Sequence, residues 1–240
     1  MPDSTSLPSF APTERTRVRR HPERAHYDRG TVFAILDSAL LCHIGYVIDG
    51  LPYVTPTLFW REGERLYWHG SSASRMLRHQ RSGVSVCVTV SLFDGLIIGR
   101  CAFRHSANYR AVMAFGTAAV VDDPVEKEAG LNAFIERLYP GRTRLMRGIA
   151  PQELKATMLM GMTIEAASAK IRNEGPLDLE SDYGAECWAG TIPIAQHLGA
   201  PIDGPHLRPG AVAAAEIGPF IEGAALDKAL LGLARREPAR

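Results

Sequence analysis

The stretch from Leu66 to Arg78, LYWHGSSASRMLR, gathers the densest set of groups able to hold a ligand. An aromatic, apolar run brings His69 and Gly70 to its end, Ser71, Ser72 and Ser74 follow, and Arg75 opens a helical pattern. Hydroxyl donors, backbone N–H groups at a helix start and one guanidinium together suit a dianionic phosphate. A helix N-terminus carries partial positive charge, and arginine bonds two oxygens at once. The same residues would also make a serine-rich helix cap beside surface arginines, so both readings stay open at this point. Other devices are excluded by spelling: there is no GxGxxG after a strand, no P-loop, no HExxH and no GxSxG. The eight histidines lack metal-ligand spacing to a second ligand in the same element, and a lone one such as His43 reads as structural.

These groups need elements to carry them. Behind Asp28, a capping residue, Val32, Phe33, Ile35, Leu36 and Leu40 recur at helical spacing, which predicts a helix over 29–39. LLCHIGYVI and PYVTPTLFW flank Asp49-Gly50, the signature of a tight hairpin, and Glu62-Gly63 ends the second run before RLYWHG begins a third. An antiparallel meander follows, with strands near 41–49, 52–60 and 64–70. SSASRMLRHQ predicts a short helix, while VSVCVTVSLFDGLIIG and AVMAFGTAAVVDD predict further strands. Pro124 opens a helix through VEKEAGLNAFIERLY, and a second helix is expected from Pro151 through QELKATMLM. TIEAASAKIR and CWAGTIPIA return to strand character. Six or seven strands with a few helices and no strict βαβ alternation predict a mainly β fold with peripheral helices (α+β), built on a closed or partly closed antiparallel barrel. Residues 1–12 are expected to be disordered, 200–222 is too rich in Pro and Gly for regular structure, and GAALDKALLGLARR predicts a terminal helix.

With 240 residues, 46% of them apolar and 22% charged, and a formal net charge of +1, the composition is that of an ordinary globular chain that needs no disulfides or structural metal. Near-neutral charge argues against wholesale binding to nucleic acid or membrane. No apolar run approaches the roughly eighteen residues of a spanning helix, and the first thirty residues lack a secretion-signal layout, so the cytoplasm is the expected compartment. Cys42, Cys87, Cys101 and Cys187 form no CxxC, and three of them stand in strand-like contexts, reading as small buried hydrophobes. Six arginines fall between Arg15 and Arg29 with Glu14, Glu23 and Asp28 interspersed, which predicts a solvated or partner-clasping arm, a DNA-contacting arm being the alternative.

PYVTPTLFW, the acidic-Gly turn, LYWHGSSASR, NYRAVMAFGTAAVVDD and CWAGTIP, in that order, resemble the pyridoxamine 5′-phosphate oxidase-like FMN-binding split-barrel superfamily. The branch they look most similar to is that of nitroimidazole-resistance-type and general flavin-nucleotide-binding proteins. The resemblance runs from about Arg24 to Pro201. It implies a six-stranded antiparallel split β-barrel forming a homodimer, with FMN in clefts between the subunits. Residues 24–200 would form that domain, 1–23 an N-terminal arm, disordered or clasping, and 201–240 an irregular C-terminal extension ending in a helix. By position, the resemblance sets Val54, Thr55, Pro56, Thr57 and Leu58 beside the isoalloxazine, and gives Ser74 and Arg75 the phosphate. His69, Gly70, Ser71 and Ser72 would approach the phosphate and ribityl chain. Asn108, Tyr109 and Arg110 would lie close to the flavin at the dimer interface, or else form a polar strand entry. Trp188 would pack near the partner's cofactor, or else sit in the core. Lys170 and Arg172 would add charge near the phosphate or mark an outward strand edge.

Three departures matter. Met76 replaces a second basic residue, Ala111 removes one hydrogen bond to the flavin, and AGTIPIAQ after Trp188 lacks the Arg-Leu-His-Asp-Arg signature of true pyridoxamine phosphate oxidases. The activity implied is therefore an FMN-dependent oxidoreductase. It would take electrons from a reduced nicotinamide and pass them to a small planar acceptor of nitroaromatic or quinone type, with His69 and Tyr109 as the candidates for proton transfer. The alternative is a module of the same fold that binds a flavin (FMN or FAD), haem or the deazaflavin F420 without turnover.

Overall fold

The computed structural model describes residues 8–211, 213 and 217–235. After a two-residue strand β1 (Ala25–His26), α1 (Arg29–Asp37) starts where the Asp28 carboxylate accepts from the Thr31 N–H at 2.7 Å, and it buries Val32, Phe33, Ile35 and Leu36. The period then switches to two. Strands β2 (Leu41–Ile48) and β3 (Leu51–Glu62) meet at Asp49 (φ 50°) and Gly50 (φ 78°), the two successive positive φ values that a tight hairpin turn requires. The chain continues through β4 (Arg65–Ser71), α2 (Arg75–Gln80), β5 (Val84–Ile98), β6 (Ser106–Val120) and α3 (Pro124–Leu138). It closes with α4 (Pro151–Ala156), β7 (Thr157–Thr163), β8 (Ala166–Arg172), β9 (Gly190–Pro193) and α5 (Leu226–Ala234).

The nine strands among the described residues belong to one sheet in the order β1-β8-β6-β7-β4-β3-β2-β5-β9, and β5 also pairs with β6. Strands β2, β3, β4, β7, β6 and β5 therefore close into a ring, an arrangement consistent with a split barrel. Alternate residues fill the ring. Ile44, Phe59, Leu66, Trp68, Val88, Val112 and Met160 are buried, each such burial contributing roughly 1.5–3 kcal/mol. Trp68, the largest, donates its indole N–H to Gln80 Oε1 at 3.1 Å, so its one polar atom is satisfied inside the core.

A second apolar cluster lies outside the ring, where Trp60, Phe134, Leu138, Leu159 and Leu230 join α3 and α5 to the sheet. Asp37, 7% exposed, is held there by Arg61 from β3 and by Arg137 from α3 at 2.6 Å, and this pins α1 and α3 to one strand. A buried carboxylate is tolerated because two guanidiniums surround it.

Four local expectations change. The helix from Pro151 stops at Ala156, and TMLMGMT is strand β7, whose five central residues are all buried. A strand covered on both faces shows no alternation, so its pattern is indistinguishable from that of a buried helix. Cys187 to Ala189 are not strand: β9 begins at Gly190, which lies against the ring of Trp188. Cys187 is consequently exposed, Cys87 and Cys101 are half-buried, and only Cys42 is fully buried, its thiol pKa pushed up to about 12 by burial. The expectation of disorder over 1–12 falls partly outside the described residues, but Phe10 is buried edge-on against Phe33, with its N–H bonded to the Tyr27 carbonyl. No helix among the described residues is long and apolar enough to cross a membrane.

Candidate functional site

Strands β3 and β4 pair only from Phe59↔Trp68 to Glu62↔Arg65. Before Phe59, β3 continues with β2 alone, and after Trp68, β4 continues with β7 alone, so the ring parts between them. One lip of the split carries Val54, Thr55, Pro56, Thr57 and Leu58, and among the described residues the backbone edge of this segment that faces β4 is unpaired. The other lip carries His69, Gly70, Ser71 and Ser72 and leads through Ser74 to Arg75. Gly70 lets α2 close onto the strand: a Cβ there would sit 3.1 Å from Leu77.

Arg75 reaches across. Its guanidinium lies 4.6 Å above the ring of Tyr53, which stacks on Tyr46 at 5.6 Å, and the Tyr46 hydroxyl is bonded to Thr55 Oγ1 at 3.0 Å. A ring face orients the cation without neutralising it. Among the described residues Arg75, which is exposed, has no carboxylate partner. Ser74 stands at the N-cap of α2 with its hydroxyl unused by the cap, while Ser71 Oγ accepts from the Ala73 N–H at 3.2 Å. Because α2 has six residues, its dipole contributes little; the guanidinium and the hydroxyls supply the attraction for an anion.

His69 is half-buried between Trp60 and Phe134, with ring centroids 6.0 and 5.7 Å away. Its Nδ1 is buried with no hydrogen-bond partner among the described residues, and desolvation pulls its pKa down, so the neutral imidazole is favoured. The imidazole thus packs against the apolar cluster outside the ring with this atom unsatisfied.

The remaining expected residues lie elsewhere. Asn108 is buried and clasps Glu174, donating from Nδ2 to its carbonyl at 3.0 Å and accepting its N–H at 3.1 Å. It holds a loop rather than facing the split. Tyr109 pairs with Phe93 on one side and Arg172 on the other, in mid-sheet. Arg172 is 4% exposed and bonds the Ala107 and Gly175 carbonyls, and Lys170 bonds the Arg20 carbonyl, so neither faces the lips. Trp188 is 62% exposed beside β9, which β5 and β2 separate from β3, and is therefore no core residue.

Arg110 has its own role. It bonds Asp94 through Nε at 2.9 Å and Nη2 at 2.7 Å, and Asp227 through Nη2 at 2.9 Å; the bonds to Asp94 in particular hold its pKa above the usual arginine value. Asp94 is the extra residue of a bulge, since Phe93 pairs with Tyr109 and Gly95 with Asn108. The bulge turns this carboxylate toward Arg110. Gly95 is required just after it, because a Cβ there would stand 2.9 Å from the Ile192 carbonyl oxygen of β9. The Arg110 cluster forms one wall of a groove of about 390 Å³, otherwise lined by Ser38 to Leu41, His43, Ser91 to Phe93, Ile194 to Gln196 and Leu226.

Tyr53, His43, Asp94 and Asp227 were not singled out as site residues by sequence reasoning. Asp94-Gly95 inside an apolar run carries a bulge signal. Asp227 carries none, because its contact spans 117 positions.

Comparison with known proteins adds to this geometry. The sequence pattern of the pyridoxamine 5′-phosphate oxidase family matches residues 28–171, more than half of the chain. The chain belongs to this family. It is similar to the flavocytochrome Anf3 from Azotobacter vinelandii, with 42% identity over 85% of this chain and 94% of that one and a TM-score of 0.80. It is also similar to the FAD and haem binding protein from Mycobacterium smegmatis, with 31% identity over 85% of this chain and 98% of that one and a TM-score of 0.77. Comparison with the curated proteins gave no match. The family's fold is thus shared, and both of these relatives carry a flavin or haem in their names.

Proposed function

We propose that this family member binds a flavin nucleotide in the split between β3 and β4 and works as a flavin-dependent oxidoreductase. The observation that carries the reading is an exposed arginine without a carboxylate partner, oriented over Tyr53 on one lip of an open sheet edge. The residues fit the group. Arg75 with the Ser72 and Ser74 hydroxyls offers charge-assisted donors to a phosphate, and the unpaired edge of Val54 to Leu58 offers backbone groups to the polar rim of a flat heterocycle. FMN is the first expectation, and the M. smegmatis relative's name makes FAD the alternative. Bound flavin would supply hydride and single-electron transfer. The chain's own part is to hold the ring, exclude water with Val54 and Leu58, and present His69 as a neutral imidazole able to accept a proton. A reduced nicotinamide as donor and a small planar nitroaromatic or quinone as acceptor complete the proposal.

A homodimer belongs to the same reading. Leu41 and Leu58 face each other across β2 and β3 and are 50% and 47% exposed; Val54 (67%), Phe93 (51%) and Met113 (43%) extend the same outer face. An apolar patch of this kind on a sheet surface marks an interface.

The test is purification with spectroscopy and mass analysis of the released cofactor, for the native protein and for Arg75→Ala. The variant is expected to fold and to lose about 1.5–3 kcal/mol of flavin affinity, the scale of a charge-assisted contact. Unchanged flavin retention would remove Arg75 from the site. A second reading, haem beside the flavin, is favoured by the relatives' names and by the groove at Arg110.

A further inference from the structure

We propose that the groove beside Arg110 seats a haem, with the imidazole of His43 as the axial ligand of the iron. The inference rests on the second reading above and names the site that reading requires. His43 is exposed, and its imidazole makes no hydrogen bond among the described residues. It is fixed in place by a rigid strand, in register with Pro56 of β3 and Thr89 of β5, and it lines the groove. At about 390 Å³ the groove falls within the range of cofactor sites, about 300–1,000 Å³. Leu41, Leu92, Phe93, Ile194 and Leu226 give it the apolar walls that a porphyrin plane needs.

Other histidines are placed differently. His79 is bonded to the Val47 carbonyl, His105 to that of Cys101 and His197 to that of Gly223. His69 packs against Trp60 and Phe134 of the apolar cluster outside the ring.

The construction of the groove supports the assignment. One side comes from the family core, but the opposite side comes from Ile194 to Gln196 and from Leu226 and Asp227, all beyond residue 171 where the family match ends. The C-terminal segment therefore turns an open sheet face into a pocket, and the Arg110–Asp227 bond fastens it. With one arginine between two carboxylates, that wall carries a net negative charge. His43 and Pro56 are neighbours across β2 and β3, which sets the haem one strand from the proposed flavin.

The test uses the full chain, produced with haem supply and also stripped and titrated with hemin, following the Soret band and the flavin absorbance separately. The native protein is expected to show a histidine-ligated haem. His43→Ala is expected to weaken hemin binding by more than about tenfold while its flavin content stays unchanged, and added imidazole should restore the ligated spectrum. Ser91→Phe, which fills the groove without removing a ligand, should also exclude hemin, whereas His69→Ala should retain it. A native Soret spectrum in His43→Ala overturns the assignment, as does native protein that binds flavin but no hemin. Loss of flavin together with haem in His43→Ala gives the groove to the flavin and equally overturns it. If native protein binds neither cofactor, the flavin reading falls with it.

Discussion

The Arg110 cluster allows a stability effect to be worked through. Arg110 makes three charge-assisted bonds of 2.7–2.9 Å, and the side chains of Arg110, Asp94 and Asp227 are 27%, 28% and 22% exposed. Hydrogen bonds to charged groups contribute about 1.5–3 kcal/mol, and exposed ion pairs about 0–1 kcal/mol. With roughly a quarter of each group in water, the cluster falls between these limits. Arg110→Ala leaves two carboxylates facing each other without their cation and is expected to cost about 2–3 kcal/mol. Asp227→Asn keeps both bonds to Asp94 and an amide acceptor, so about 0.5–1 kcal/mol is expected. Denaturant unfolding gives these numbers, and hydrogen exchange locates them. Asp227→Asn should speed exchange in α5 while β5 and β6 stay protected, and Arg110→Ala should loosen both regions. Since Arg110→Ala already removes the partner of Asp227, the double variant should be no less stable than Arg110→Ala. Fully additive losses, or an α5 that exchanges at the native rate in Arg110→Ala, would refute the idea that this bond fastens the C-terminal segment. Residual order in α5 is expected even so, because Leu230 and Leu233 are buried.

Leu58→Asp, placed beside Leu41 on the exposed face, should shift the protein from dimer to monomer in sedimentation without unfolding it; a monomeric native protein would remove this face as an interface. The titration of His69 gives a sign that can be checked. Its folded pKa lies below the ordinary 6.5, so the unfolded chain binds the proton more readily; stability from this group is present above pH 6.5 and is lost as pH falls through the folded value. His69→Phe should flatten the stability profile in that window, and an unchanged slope would assign it to other groups. Carboxylates with lowered pKa values, among them Asp28, where the Thr31 bonds outweigh its burial, and Glu136, through its Thr143 and Gly141 bonds, lose their contribution only as pH falls below the ordinary carboxylate range.

Much of the fold and one side of the site are legible in the residue string. Asp49-Gly50 sets the β2–β3 turn because only residues tolerating positive φ fit it, and Asp28 starts α1 because its carboxylate reaches an N–H three residues away; both signals act within a few bonds. The run from His69 to Arg75 carries the donors of the proposed anion site in its own residue types. Local signals cannot report which side of a strand is covered by distant chain. For that reason β7, buried on both faces, reads as helix, and Asn108 and Arg110, polar in sequence, turn out to hold a loop and a terminal helix. Only the closed fold decides that β3 and β4 part after Phe59 and Trp68, that Tyr53 lies under Arg75, and that Asp94 and Asp227 meet one guanidinium across 16 and 117 positions. Those contacts exist because burial of the ring's apolar interior sets the path of the backbone, and polar partners far apart in the chain meet wherever that path carries them.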